Sequence, residues 1–448
     1  MSDPNRPADV MPGGGAFCSR MLHRFMDVRP EEVPVLFWCW LYIFAVLSSY
    51  YIMRPIRDQM GVAGGVNNLQ WLFTGTLIGM LVLNLPFAWL VKTLPRSRFI
   101  PLSYRFFAVN ILLFAVALYV ATPEQTVWIG RVFFIWVSVY NLFVVSIFWQ
   151  MNVDLFNPEQ GKRLFGFIAA GATLGAIVGS ATTAGLARYV PPTALLIGAA
   201  ALLEVAVFAV GRLSRLSPAL HHHQAGTPAA TNDERPIGGG IFSGIKNALS
   251  DPYLLGVSLF ILLFAITSTF LYFQQAGIVS HSFSDRGAQT SFFATVDLLV
   301  NCLTLGVQLF FTGRIVMLLG IGVALALLPA LTFFGFGALA ITPSLTTIAV
   351  FQVLRRAGDY AIARPTREML FTVVPREDRY KAKSFIDTFV YRLGDQVGAW
   401  SMALLRMLGE SATTVALLAM PVAILWLLNG LWLGRRQAVL AEQGEAAD

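Results

Sequence analysis

Residues 33–53 read VPVLFWCWLYIFAVLSSYYIM and contain no charged side chain. A lipid bilayer has a hydrocarbon core about 30 Å thick, which an α-helix of roughly 20 apolar residues crosses once. The stretch lacks the small-residue cleavage site of a signal peptide, so we predict a retained first membrane span. Eleven further segments of this kind follow, at 66–92, 99–121, 125–152, 164–187, 191–213, 251–276, 287–312, 315–340, 343–370, 384–407 and 411–434.

The composition of the whole chain agrees with this pattern. Of the 448 residues, 56% are hydrophobic and only 13% are charged, and the mean hydropathy is +0.65. These values lie far outside those of water-soluble proteins. A transmembrane β-barrel would show segments of about ten residues in which polar and apolar side chains alternate, and no segment alternates for long. The sequence therefore predicts an all-α polytopic membrane protein with about twelve transmembrane helices.

The longest connection between predicted spans divides them six and six. It covers residues 214–250 and contains HHHQAGTPAATNDERPIGGG, a polar stretch rich in glycine and proline that is typical of a flexible linker. We predict an N-terminal tail at 1–32, six-helix bundles at 33–213 and 251–434 on either side of the linker, and a C-terminal tail at 435–448. Two similar halves that rock around a central site are the arrangement of alternating-access carriers such as the major facilitators.

Lysine and arginine residues are distributed unevenly between the two sides of the membrane. If the N-terminus is inside, the segments on that side hold 20 of the 32 basic residues, and the opposite loops hold only Arg188, Arg286 and Arg406. Positively charged loops remain in the cytoplasm, so we expect a multi-pass inner-membrane protein whose termini and linker are cytoplasmic. This topology and contact with anionic membrane lipid explain the net charge of +7, and no nucleic-acid partner is expected.

No enzymatic or metal-binding pattern accompanies the spans. The sequence contains no GxxxxGK[ST] phosphate loop, no HExxH and no nucleophile elbow. Cys18, Cys39 and Cys302 have neither CxxC spacing nor the spacing of metal ligands. We therefore expect a protein that is not an enzyme and that uses no metal and no cofactor.

Charged residues inside a membrane span are costly, so each is a candidate functional residue. The first span ends in YYIMRPIRDQMG, which places Arg54 and Asp58 one helical turn apart and Arg57 on another face. If Arg54 and Asp58 pair, Arg57 keeps donors for an anionic ligand, for which a guanidinium is well suited. The alternative is that these side chains only extend to the lipid headgroups.

The tenth predicted span repeats this chemistry. It contains RRAGDYAIARPTREML, whose charged residues are Arg355, Arg356, Asp359, Arg364, Arg367 and Glu368. An arginine-proline-x-arginine string followed by an acid therefore occurs in both halves. It lies in the first span of one half and the fourth span of the other, so duplication of the halves alone does not explain it.

Acidic residues also lie in three other predicted spans, two in the second half and one in the first. In the eleventh span, Asp387 precedes Arg392 and Asp395, whose spacing of three residues favours a structural ion pair over a coupling role. Asp297 in the eighth span and Glu204 in the sixth stand alone in the sequence. Each either couples protons to transport or meets an arginine from another span.

Glycines recur at four-residue intervals in the fifth and eleventh spans. Gly171, Gly175 and Gly179 share one helical face, and Gly394 and Gly398 share another. Small residues on one face let two helices approach closely, so we predict packing surfaces and not ligand contacts. The similarity of the two sites supports a duplicated fold.

Three strings resemble the sequences of one family of carriers. They are YYIMRPIRD at the end of the first span, LFNPEQGKRLFGFIAAGATLGAIVG after the fourth, and TREMLFTVVPREDRYKAKSFID between the tenth and eleventh. They are similar to the nucleotide transporters, the bacterial and plastid ATP/ADP translocases, which form a branch of the major facilitator-like carriers. The resemblance implies a twelve-helix carrier that exchanges ATP for ADP.

The resemblance also implies roles for particular residues. Arg57 matches a basic family residue that contributes to nucleotide binding. Glutamates that the family carries in the fourth and seventh spans are absent, and the residues at those places are Ser138, Tyr140, Asn141, Tyr272, Gln274 and Gln275. A family lysine is replaced by Asp395. These departures indicate a divergent relative that keeps an anion-attracting cavity while its substrate has changed.

The predicted function is secondary active transport by alternating access, for a nucleotide or a related anionic metabolite. The predicted substrate-binding residues are Arg54, Arg57, Asp58, Tyr140, Asn141, Arg364, Arg367 and Glu368, and the predicted coupling or gating residues are Asp297, Asp387, Arg392 and Asp395. Two alternatives are proton-coupled transport of another organic solute, and a non-transporting membrane assembly or sensor protein. We expect a monomer whose partners are a small anionic substrate and membrane lipid.

Overall fold

The computed structural model describes residues 32–156, 158–224, 250–374, 382–383 and 385–445. The predictions made for the N-terminal tail, for the middle of the linker and for the basic PREDRYK segment concern residues outside that part of the chain. The division into tails, bundles and linker therefore stays a prediction.

The described residues are almost entirely helical, and no β-strand occurs among them. The α-helices are α1 Val33–Ala63, α2 Leu69–Thr93, α3 Arg96–Val120, α4 Pro123–Leu155, α5 Pro158–Leu186, α6 Pro192–Gln224, α7 Pro252–Ser282, α8 Arg286–Phe310, α9 Thr312–Ile341, α10 Leu345–Gly358, α11 Arg364–Leu370, α12 Tyr391–Met407 and α13 Ala412–Glu445. Two π-helical turns, Asp359–Ala363 and Ile386–Val390, lie before α11 and α12.

Ten of the described helices are long and apolar enough to cross a membrane, and the predicted all-α polytopic fold is confirmed. The other two predicted spans, 343–370 and 384–407, are each interrupted by a π-turn, so their α-helical parts are shorter than a full span. Such turns often occur at functional sites because they re-aim the side chains around them. The turn at Asp359–Ala363 contributes two residues to the central cavity described below.

The helix of the first span extends beyond the apolar stretch 33–53. It includes the charged string that follows, as the one-turn spacing of Arg54 and Asp58 assumed, and α1 ends at Ala63. Arg54 and Arg57 form ion pairs inside the protein, with Asp297 and Asp58, and so they do not need to reach the lipid headgroups. The helix therefore passes through its charged segment without a break.

Buried apolar side chains form three clusters. One is drawn only from residues 33–216, which we call the first group of helices (α1–α6), and another only from residues 253–440, the second group (α7–α13). The third cluster joins Val62 and Leu69 of the first group to Phe270 and Phe273 of the second. It lies at the end of the molecule where α1 meets α2, which we call the far end; the opposite end, where α1 begins, is the tail end.

Close packing at the glycines is confirmed in both groups. A Cβ atom added at Gly175 of α5 would lie 2.4 Å from the carbonyl oxygen of Phe44 in α1. In the second group, a Cβ at Gly394 of α12 would lie 2.9 Å from the carbonyl oxygen of Leu262 in α7. Each glycine lets one helix touch the backbone of the first helix of its group.

We expect Gly175→Ala to lower the free energy of unfolding by about 1–3 kcal/mol, the usual cost of forcing an extra carbon into a packed interface. The added methyl group would push α5 away from the Phe44 backbone. Unfolding in detergent micelles would measure the effect, with Gly185→Ala as the control, because a Cβ at Gly185 on the same helix meets nothing within 4 Å. Equal stability of the two variants would contradict the packing role.

Candidate functional site

A cavity of about 310 Å³ lies between the two groups of helices. Helices α1, α2 and α4 line it from the first group, and α7, α8, α10, the π-turn Asp359–Ala363, α11 and α12 line it from the second. Asp297, which lines the cavity, lies eleven residues after Arg286, the first residue of α8. Because α8 begins at the far end and rises 1.5 Å per residue, Asp297 is about 16 Å from that end. That depth is near the middle of a hydrocarbon core about 30 Å thick.

Charged side chains dominate this cavity. Six arginines and four aspartates line it, namely Arg54, Arg57, Arg355, Arg356, Arg364, Arg392, Asp58, Asp297, Asp359 and Asp395. The formal charge of this set is +2. Because the surrounding protein and lipid have a low dielectric constant, this excess attracts an anion more strongly than it would in water.

The deepest charged group, which we call the Asp297 cluster, consists of Arg54, Asp297 and Arg356. Asp297 is only 2% exposed, and its Oδ1 lies 3.5 Å from Arg54 Nη1 of the first group and 2.7 Å from Arg356 Nη1 of the second. One carboxylate therefore serves two guanidinium groups. Arg54 Nε, Arg356 Nη2 and Asp297 Oδ2 find no hydrogen-bond partner in the described part of the chain, so donors remain for an anion.

A second group, the Asp58 bridge, corrects the predicted pairing of Arg54 with Asp58. Arg57 binds Asp58 instead, since its Nη2 and Nε donate to Asp58 Oδ1 at 2.6 and 3.0 Å. The hydroxyl of Tyr272 in α7 donates to the same oxygen at 3.0 Å. Arg54 faces α8, where Asp297 attracts it, so the bridge is built from the neighbouring arginine and spans both helix groups.

Arg355 is a buried cation of the tenth predicted span that was not among the predicted substrate-binding residues. It is 2% exposed and donates to Ser268 Oγ at 2.7 Å, Thr267 Oγ1 at 2.9 Å and the Phe264 carbonyl at 3.2 Å. All of these acceptors are neutral, and no carboxylate among the described residues forms an ion pair with Arg355. Its charge contributes to the cationic excess of the cavity.

Exposure increases toward the tail end. Arg364 pairs with Asp359 at 3.0 Å and is 49% exposed, and Arg392 pairs with Asp395 at 3.0 Å and is 34% exposed. The arginines of the Asp297 cluster are only 16% exposed. The cavity therefore opens toward the tail end.

Contacts between the groups close the far end. Gln59 Nε2 donates to Gln289 Oε1 at 3.3 Å, and Arg406 Nη1 donates to the carbonyl of Val66 at 2.8 Å. The third apolar cluster, which contains Val62 and Phe273, lies beside these bonds. A solute in the cavity has access from one side of the molecule only.

Tyr140, predicted to contact substrate, does not line the cavity. It is fully buried, and its hydroxyl donates to Ser49 Oγ at 3.3 Å within the first group. Its neighbour Asn141 does line the cavity. Consecutive residues on a helix point about 100° apart, so the two side chains cannot share that face.

Three other predicted site residues also lie away from the cavity, at the tail end. Arg367 Nη2 lies 3.5 Å from Asp387 Oδ1, and Glu368 forms an ion pair with Lys383. These pairs connect α11 to the residues just before α12. Both arginines of the RPxR string in α1 therefore line the cavity. Of the two arginines in the second copy of the string, only Arg364 does.

Comparison with known proteins gives distant relatives. No protein-family model matches the chain. Two curated proteins named ADP,ATP carrier protein 1, from Chlamydia trachomatis and Chlamydia muridarum, are each 20% identical to it over 365 and 364 residues, which is 71% of this chain and 68% of each relative.

Several solved structures share the fold. An auto-inhibited POT family peptide transporter has a TM-score of 0.61 with 14% identity and covers 91% of this chain and 96% of its own. A POT family transporter in complex with 5-aminolevulinic acid has a TM-score of 0.60 with 11% identity, at 90% and 96% coverage. A bacterial metal transporter has a TM-score of 0.59 with 11% identity, at 91% and 99% coverage. The architecture is thus one found in transporters, and the relatives and structural neighbours named here are carriers and transporters, not enzymes.

Proposed function

We propose that this chain is a secondary active transporter that carries a small anionic solute by alternating access. The observation that carries the proposal is the arginine-rich cavity near mid-membrane depth, between two groups of helices, open at one end and closed at the other. A site at this depth and between these groups is reached from either side when the groups rock against each other.

The opposite conformation requires contacts at the far end to separate. Hydrogen bonds such as Gln59 to Gln289 would break, and the third apolar cluster would divide between the groups. If both termini are cytoplasmic, as the distribution of basic residues predicts, the structure has its cavity open to the cytoplasm. The Asp58 bridge and the Asp297 cluster lie between this closed end and the open cavity, where a bound solute can alter them.

We propose a nucleotide, or another phosphate-bearing metabolite, as the first class of substrate. The distant relatives are named as ADP,ATP carriers, and guanidinium groups match the geometry of phosphate oxygens. The formal charge of +2 suits a ligand with two or more negative charges, and aromatic residues of the same cavity, among them Phe73, Phe264 and Tyr360, offer apolar surface to the rest of the molecule.

Two residues from the spans in which the nucleotide transporters carry glutamates also support this proposal. Ser138 accepts a hydrogen bond from Arg57 Nη1 at 3.3 Å, and Tyr272 donates one to Asp58 at 3.0 Å. Ser138 and Tyr272, each one of three candidates in its span, thus hold the two ends of the Asp58 bridge. The carboxylate between them is that of Asp58, which belongs to α1.

The test is a thermal-shift panel on the purified protein with ATP, ADP, inorganic phosphate, sugar phosphates, organic acids and dipeptides. A ligand at 100 times its dissociation constant should raise the free energy of unfolding by about 2.7 kcal/mol. We expect a phosphate-bearing compound to give the largest shift and to exchange across reconstituted vesicles loaded with it. Stabilisation only by uncharged solutes, with uptake driven by a proton gradient, would contradict the anionic substrate and favour the proton-coupled alternative.

A further inference from the structure

One ion pair lies on the outer surface of the first group of helices, on the side away from the cavity. Arg105 of α3 and Glu204 of α6 approach each other with Nε and Oε2 3.7 Å apart, and their side chains are 63% and 54% exposed. Among the ion pairs formed by the described residues, no other has both side chains more than half exposed.

The depth of this pair places it in the hydrocarbon core. Glu204 lies twelve residues after Pro192, the first residue of α6, and therefore about 18 Å from the far end. The apolar part of α6 runs over Pro192–Leu216, so Glu204 lies near its middle. Arg105 must lie at the same depth because the two side chains are in contact. Charged groups at this depth are costly when they face lipid, and a glutamate side chain is too short to reach the headgroups.

We infer that this surface is the interface of a homodimer, in which a second copy of the chain covers Arg105 and Glu204. A two-fold axis parallel to the membrane normal keeps every residue at its own depth. It therefore brings Arg105 of one copy against Glu204 of the other, and the reverse pair forms at the same time. The four charges alternate in sign, which makes the surface complementary to itself. This inference differs from the monomer expected from the sequence and does not depend on the proposed substrate.

The surrounding surface allows a close approach. Ala201 is exposed one turn before Glu204, and Ala194 and Gly198 are exposed in the preceding turns of α6. Small residues on a lipid-facing surface let membrane helices pack tightly. A Cβ atom added at Gly198 meets nothing within 4 Å, so the space beside it is open in a single copy. Phe106, next to Arg105 on α3, is 59% exposed and adds apolar contact area.

The test counts copies by single-molecule photobleaching of fluorescently labelled protein in liposomes at decreasing protein density. We expect the wild type to bleach mainly in two steps. Arg105→Glu and Glu204→Arg should each bleach in one step, because each places four like charges at the interface. Mixed before reconstitution and labelled in two colours, these two variants should form pairs again, since one copy then carries two acids and the other two bases.

Two further variants separate the interface from the fold. R105E/E204R restores the ion pair within each copy and should form dimers like the wild type. Gly198→Leu should reduce the dimer fraction several-fold, whereas Gly185→Leu, on another exposed site where a Cβ also meets nothing within 4 Å, should not. One-step bleaching of the wild type at all densities would overturn the inference, as would dimers that persist unchanged in both single charge variants.

Discussion

Replacement of Asp297 by asparagine is expected to lower the free energy of unfolding of the ligand-free protein by about 3–5 kcal/mol, the usual cost of removing one partner from a buried ion pair. Asp297 is 2% exposed, and its Oδ1 is shared by Arg54 at 3.5 Å and Arg356 at 2.7 Å. Asparagine keeps the size of the side chain but not its charge. Two buried guanidinium groups would therefore lose their common counter-charge, and unfolding in detergent would measure the loss.

The same substitution should strengthen the binding of an anion. Asp297 and a bound phosphate group would compete for the N–H groups of Arg54 and Arg356, and the asparagine variant removes one competitor. A phosphate-bearing ligand should therefore raise the unfolding temperature of Asp297→Asn by more than it raises that of the wild type. Titration with inorganic phosphate and with the best compound of the panel would measure the difference.

Asp395→Asn is the matched control for this experiment. It raises the formal charge of the cavity by the same amount, from +2 to +3, but it removes the partner of the single, more exposed Arg392. We expect a smaller loss of stability and a smaller gain in anion binding. Equal gains in both variants would show that only the overall charge of the cavity matters, and would contradict direct competition at the Asp297 cluster.

The membrane fold was predictable because each helix must satisfy its own backbone hydrogen bonds in lipid, so hydropathy alone locates the spans. The segments that differ from prediction are those that contain charge. The apolar stretch of the first span ends before Arg54, yet α1 continues to Ala63 because its charges are paired inside the protein. The π-turns beginning at Asp359 and Ile386 depend on packing between helices, and no residue pattern marks them.

The residues that line the cavity were only partly predictable, because sequence spacing describes one helix at a time. Sequence spacing shows which residues share a helical face, and it correctly joined Arg392 to Asp395 at 3.0 Å. It does not show which other helix approaches that face. The partner of Arg54 is Asp297, and the two residues are far apart in sequence, so their contact follows from how the two groups pack. The spacing of residues within α1, taken alone, favoured Asp58 as the partner of Arg54.

Arg57→Gln is the second substitution with a large expected effect. Arg57 has five N–H groups; two of them bind Asp58 and one binds Ser138, which leaves two for an anion in the cavity. Loss of a hydrogen bond to a charged ligand should weaken binding by about 1.5–3 kcal/mol. Arg57→Lys keeps the charge but not the fork, so it should bind more tightly than Arg57→Gln and less tightly than the wild type.

A second variant separates the effect on affinity from the effect on stability, because Arg57 also neutralises Asp58, which is only 6% exposed. Arg57→Gln alone leaves that carboxylate buried without its counter-charge and should lower stability as well as affinity. The double variant R57Q/D58N removes both charges of the pair, so its stability should return toward that of the wild type. Its affinity should remain low if Arg57 contacts the anion, since the guanidinium is still missing. Wild-type affinity in the double variant would show that Arg57 serves only to hold Asp58 for Tyr272, and would remove it from the anion site.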